Sequence, residues 1–170
     1  MGEGKLAEFP ARTILEVLFT KDPSALLSVT TRAARYDVVV GRTGIRYASR
    51  GQLSGETALF LLLMEVEGTF ALGPVMSDVI SNCVFQTLSE VDTRFAAWRK
   101  RLTGTDLRFL DPGHLFWWRS KLSKDVQQLA APEYEIAQLT RDRAQTIDSL
   151  ASVLGQDVLE VSRVLTRMTH

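Results

Sequence analysis

Residues 36–73 read YDVVVGRTGIRYASRGQLSGETALFLLLMEVEGTFALG, and their reading decides the fold. Two runs rich in β-branched and aromatic residues, 35–40 and 45–49, flank Gly41-Arg42-Thr43-Gly44. Glycine reaches positive φ without steric cost, so this tetrapeptide predicts a tight turn between antiparallel strands. In the second run Ile45, Tyr47 and Ser49 alternate with Arg46, Ala48 and Arg50, which predicts one buried face and one wet face. Residues 52–55 lead into an amphipathic helix over 56–66, with Ser54 as its expected N-cap. A strand over 68–72 follows, bracketed by Gly68 and by Gly73-Pro74.

Working outward, residues 1–9 read as a loose tail. Pro10 is placed to open a helix, because its missing N–H would have no partner in the first turn anyway. Ile14, Leu15, Val17, Leu18 and Phe19 give that helix an apolar face, and Lys21-Asp22-Pro23 closes it. Residues 25–31 form a further strand. The expected class is therefore α+β, a small antiparallel, hairpin-based sheet packed on helices.

Beyond Pro74, apolar residues recur mostly at three- and four-residue steps from Met76 to Leu102, predicting one long helix over 76–102. Its stripe exceeds what one small core covers, so it is the expected seam of a homodimer. Residues 104–121 read as irregular, with a turn at Asp111-Pro112-Gly113 and an aromatic cluster at Leu115-Phe116-Trp117-Trp118. Helices over 133–139, 146–154 and 158–168 follow. Gly155-Gln156-Asp157 turns between the last two, a helix-turn-helix-like spacing. The expected organisation is an α+β module over 11–75, a connecting helix over 76–102 and a helical part over 122–170.

The 170 residues are 45% hydrophobic and 24% charged with a net charge of zero. That is ordinary globular composition, and it gives no global field toward nucleic acid or acidic membrane. The longest apolar runs, such as 58–64, are too short to span a bilayer. Glu8, Pro10, Arg12 and Glu16 interrupt the N-terminal segment before a secretory signal could form, so the expected compartment is the cytoplasm and no membrane partner is expected. The single cysteine, Cys83, excludes an internal disulfide and reads as a buried small hydrophobe.

No arrangement of side chains suggests catalysis. His114 and His170 lie far apart and lack further ligands at metal spacing. No serine or cysteine sits in a nucleophile elbow, and no Gly-Lys-Ser/Thr follows the Gly41 turn as a phosphate loop requires. Glu65 and Glu67 read as a solvated face. A non-enzymatic protein without cofactor or metal is expected. Arg94, Arg99, Lys100 and Arg101, interleaved with Phe95 and Trp98, are the residues a nucleic-acid reading would use. The favourable dipole at a helix C-terminus explains the same cluster and outweighs that reading. Residues 122–170 carry five Lys/Arg against seven Asp/Glu, which disfavours DNA as a partner of the helix-turn-helix-like part. Trp117 and Trp118 are adjacent, so one is expected in a core and the other is a candidate interface anchor.

The stretch 25–73 resembles the PATAN domain, the N-terminal module of PatA-type bacterial response regulators. The resemblance rests on VVVGRTGIRYAS and on GETALFLLLMEVEGTF. In the second, Gly55, Glu56, Ala58, Leu59, Leu62, Leu63, Glu67, Gly68, Thr69 and Phe70 fit the family pattern in order. It implies a signalling or scaffolding component, linked to motility, pilus control or cell patterning, that binds other signalling proteins and has no catalytic residues to carry over. The C-terminal part is similar to winged-helix-like tails that follow such modules. Contacts are expected through Arg42, Arg46 and Arg50 on the exposed side of the hairpin, through the exposed side of helix 56–66, and through Trp117 and Trp118. The alternative is a DNA-binding regulator or DNA-repair accessory acting through Arg94, Arg99, Lys100 and Arg101 or through the C-terminal helices.

Overall fold

The computed structural model describes residues 2–21, 24–51, 53–75, 79–103, 105–110, 113–117 and 130–169. The fold is α+β, with a six-stranded antiparallel sheet and, among the described residues, six α-helices. The chain divides into two compact units, residues 1–100 and 101–170.

In the first unit the strands are β1 (Glu3–Lys5), β2 (Ala25–Thr30), β3 (Arg35–Gly41), β4 (Gly44–Arg50), β5 (Leu53–Ser54) and β6 (Thr69–Pro74). Their order across the sheet is β1, β6, β2, β3, β4, β5, and every pairing is antiparallel. Three cross-strand rows point to one face and are buried: Ala25 with Val40 and Ile45, Leu27 with Val38 and Ala48, and Val29 with Tyr36 and Arg50. Such rows are the packing unit of a sheet. Within the tail expected over residues 1–9, Glu3–Lys5 form a strand. β1 pairs with β6, and Leu6 behind it is buried. Three residues are too few for a periodicity to register.

The alternation expected in β4 breaks at Arg46. Val39 lies opposite Tyr47 and Val40 opposite Ile45, so Arg46 is an extra residue in a β-bulge. A bulge shifts the side-chain parity of everything beyond it. Ile45 therefore shares the buried face with Ala48 and Arg50, while Tyr47 and Ser49 turn to the other side.

Helix α1 (Ala11–Thr20) starts directly after Pro10, as expected, and buries Ala11, Ile14, Leu15 and Leu18 on one stripe. Helix α2 (Glu56–Met64) has no wet side over its centre: Ala58, Leu59, Phe60, Leu61 and Leu62 are buried in succession. It packs on the sheet, with Phe60 against Phe85, Phe95 and Trp98. The amphipathic reading of 56–66 is thus corrected. Its N-cap is Gly55, at φ +81°, and Ser54 belongs to β5.

The long helix expected over 76–102 is shorter: α3 runs Leu88–Lys100. Thr87 Oγ1 accepts the Glu90 N–H at 3.2 Å, and Glu90 returns a carboxylate oxygen to the Gln86 N–H at 3.0 Å. That reciprocal cap starts the helix there. Val91 and Trp98 of the expected stripe are buried within the unit, whereas Val79, Ile80 and Val84 are exposed.

Residues 79–87 are not helical and run as a strap along β4. Ile45 and Phe85 exchange both backbone hydrogen bonds, at 2.9 and 3.0 Å, and the Arg46 carbonyl accepts from Asn82 and Cys83. Gly44, at φ +110°, leaves room for this approach; a Cβ there would stand 1.9 Å from the Phe85 carbonyl oxygen. The strap and β5 together cover the β4 edge that would otherwise be open to strand addition.

In the second unit a 3₁₀ turn (Leu107–Leu110) precedes β7 (Leu115–Phe116), which pairs with β8 (Gln145–Thr146). Helices α4 (Ala131–Arg141), α5 (Ile147–Leu154) and α6 (Val158–Met168) match the three expected segments closely. Thr146 caps α5 by accepting the Ser149 N–H, Gly155 ends it in the left-handed conformation, and Asp157 caps α6 by accepting the Leu159 N–H. Among the described residues no helix is long and apolar enough to cross a membrane.

Candidate functional site

The face of the sheet opposite the helices is ordered in rows of distinct chemistry. Leu26, Val39 and Tyr47 form an apolar row, with Gly73 of β6 in register. Ser28, Asp37 and Ser49 form a small polar row beside Ala71. Thr30, Arg35 and Thr69 complete a hydrophilic one, which Lys5 extends onto β1. Asp37 accepts the Ser28 hydroxyl at 2.5 Å and pairs with Arg35 at 3.3 Å, so its charge is engaged within the sheet.

The apolar row is one wall of an open groove of about 430 Å³, and Val75, Val79 and Ile80 supply the other wall. Ile80 is 85% exposed, and Val84 further along the strap is also exposed. Such an accumulation of apolar surface beside a half-open groove is what a docking surface presents.

The expected contact residues separate. Arg42 and Arg46 are exposed, whereas Arg50 is 1% exposed and lies in the core with its guanidinium 5.9 Å from the centre of the Tyr36 ring. The bulge at Arg46 is the physical reason Arg50 turns inward, and Arg50 is corrected from contact residue to core residue. Next to it the Tyr36 hydroxyl donates to Glu65 at 2.6 Å, so Glu65 is more than a solvated carboxylate. The exposed side expected of helix 56–66 is absent from Ala58 to Leu62, where α2 is buried in succession.

In the second unit Trp117 is 56% exposed and donates its indole N–H to the Arg141 carbonyl at 3.3 Å. Trp118 and His170 lie outside the described residues. His114 packs against the rings of Phe109 and Phe116.

Three of the four basic residues of the nucleic-acid reading have partners within their own unit. Arg94 pairs with Glu56 and Glu90, and its guanidinium lies 4.9 Å from the centre of the Phe85 ring. Arg99 rests against Phe95. Arg99 and Lys100 end the first unit, while Arg101 belongs to the second, where it pairs with Asp157 and Glu160 at 3.3 Å each. Helix α6, which would have to read DNA, buries Val158, Leu159, Val161, Ser162, Val164 and Leu165. Its outward charges are already matched: Glu160 with Arg163 at 2.6 Å, and Arg167 with Glu133 at 2.8 Å. The Arg167 hydrogen bond holds the Glu133 carboxyl below its usual range.

Cys83 is buried in the strap, where desolvation, followed by the Glu56 carboxylate, pushes its thiol up to about 11. It is protonated at neutral pH and a poor nucleophile. Among the described residues no three His, Cys, Asp or Glu side chains gather as a metal site.

Compared with protein-family models, with curated proteins and with solved structures, the chain gives no match.

The groove was not among the sequence expectations. Its two walls come from segments far apart in the chain, and the strap wall has the apolar spacing of a helix. The signal that could have exposed the error is Thr87-Leu88-Ser89-Glu90, a capping-box sequence in the middle of the supposed helix.

Proposed function

We propose that this chain is a non-enzymatic protein–protein interaction module of bacterial cytoplasmic signalling, as the resemblance of residues 25–73 to the PATAN domain implies. The observation that carries the reading is the apolar row of Leu26, Val39 and Tyr47 continuing into the exposed Ile80. Covering a side chain of that size is worth roughly 1.5–3 kcal/mol, which favours a partner on this face. The hairpin contributes to the contact through Arg46 and not through Arg50. The rival reading, a DNA-binding regulator, finds less support, because Arg94 and Arg101 are matched by acids and α6 is spent on its own core.

The test is native co-purification of the full chain with its partners, identified by mass spectrometry, beside Ile80→Asp and an Arg99→Ala/Lys100→Ala pair. A defined partner held by the wild type and by the basic-pair variant, and lost from Ile80→Asp, is the expected result. Salt-sensitive retention of nucleic acid that disappears with Arg99→Ala/Lys100→Ala would replace this reading with the regulator.

A further inference from the structure

We infer that the groove between the outer face of the sheet and the strap takes an amphipathic partner segment that carries acidic side chains beside its apolar ones. The inference rests on the interaction-module reading and names the chemistry of what that module meets.

The groove itself is apolar, lined by Leu26, Val39, Tyr47, Val75, Val79 and Ile80. Asp37 also lines it, but that carboxylate already holds the Ser28 hydroxyl and Arg35. The floor therefore offers little to a cationic segment.

The rim is different. Along β3, Asp37, Val39 and Gly41 alternate onto the outer face. A Cβ built on Gly41 would stand 3.1 Å from Cδ of Arg46, which places the Arg46 side chain on that same face. The bulge thus sets Arg46 and Tyr47 on one side of the sheet, an exposed guanidinium next to a ring that lines the groove. Among the described residues no ion pair engages Arg46 or Arg42. Arg12, Arg94, Arg101, Arg163 and Arg167 each rest on an acid of this chain. An arginine left without a carboxylate, at the edge of an apolar groove, is complementary to a partner carboxylate, which its planar fork can hold with two hydrogen bonds. Charge at such a rim selects partners and orients them, while the apolar floor supplies the affinity.

The experiment is a selection of short random peptides displayed on phage against the purified full chain, with binding of the selected peptides measured on Arg46→Glu, Ile80→Asp and, as a remote control, Arg99→Glu. The expected result is enrichment of segments that combine apolar residues with Asp or Glu, weakened about tenfold or more by Arg46→Glu and by Ile80→Asp and unchanged by Arg99→Glu. Enriched peptides that are basic, or that bind Arg46→Glu as well as the wild type, would overturn the inference. So would a selection that yields no binder, or a dimer that Ile80→Asp turns into monomer, since the groove would then hold a second copy. A co-purified partner lost from Ile80→Asp but indifferent to Arg46→Glu removes the acidic chemistry and leaves the interaction module standing. No partner in either experiment removes both.

Discussion

The side-chain amide of Asn82 meets the main chain of Ala48 as a neighbouring strand would, donating to its carbonyl oxygen at 2.9 Å and accepting its N–H at 3.0 Å. One side chain thereby continues the ladder between the β5 pairing at Ser49 and the strap pairing at Ile45. Asn82→Ala removes both bonds and leaves the Ala48 N–H without its acceptor at a sheet edge, while the Ala48 carbonyl keeps the Gly55 N–H. The expected loss is about 1–3 kcal/mol in denaturant unfolding, with faster hydrogen exchange at the Ala48 amide. Unchanged protection at Ala48 would mean the strap is not what closes this edge.

Gly44 and Gly73 separate two roles of glycine in strands. A Cβ at Gly44 collides with the Phe85 carbonyl at a φ of +110°, whereas one at Gly73 meets nothing within 4 Å. Gly44→Ala should destabilise by about 3 kcal/mol or more, through strain and displacement of the strap. Gly73→Ala should fall within roughly 1 kcal/mol of the wild type, with stabilisation the expected sign because the unfolded chain loses freedom. Thermal melts of the two variants decide it, and similar melts would disprove the close approach.

Three arginines of one hairpin should answer differently to truncation. Arg50→Ala removes a buried cation from the row it shares with Tyr36 and Val29, at an expected cost on the order of 3 kcal/mol. Arg42→Ala and Arg46→Ala remove exposed side chains and should stay within about 0.5 kcal/mol. Equal losses at all three positions would contradict the parity shift at the bulge.

Arg12 of α1 holds Asp92 of α3 with two hydrogen bonds, at 2.7 and 2.8 Å. The hydrogen bond from Arg12 is the main cause that lowers the Asp92 carboxyl below its ordinary value, with desolvation opposing it. Folding then favours the ionised form. The stabilisation is complete above the ordinary carboxylate range, about pH 4, and disappears as pH falls through the lowered folded value. Both side chains are more than a third exposed, so the contribution stays below about 1 kcal/mol. Arg12→Ala should flatten the acid limb of a stability-against-pH curve by that amount, and added salt should do the same to the wild type. An acid limb that Arg12→Ala leaves unaltered would rule the pair out as a source of pH dependence.

Much of this fold is legible in the sequence where a local rule acts alone. Gly41 and Gly44 bracket the hairpin, Pro10 opens α1, and Gly155 with Asp157 sets the last helical turn. What escapes is decided by contacts between distant segments. Ile80, Cys83 and Val84 keep a helical spacing, yet Ile45 and Arg46 provide backbone partners that hold residues 82–85 extended. The bulge at Arg46 leaves no mark in residue type, and it alone decides that Arg50 goes inside and Arg46 outside. The groove inherits both difficulties, being made from the bulged hairpin on one side and the strap on the other.

Helix α2 also constrains how the chain can be made and divided. All six strands of the main sheet are complete by Pro74, but Phe60 of α2 meets the rings of Phe85, Phe95 and Trp98 only when those later residues arrive. During synthesis that ring stays without these partners until α3 has left the ribosome, and transiently exposed apolar surface of this kind promotes aggregation. A fragment ending at Pro74 would own all six strands and lack both the strap that covers the β4 edge and the rings that meet Phe60.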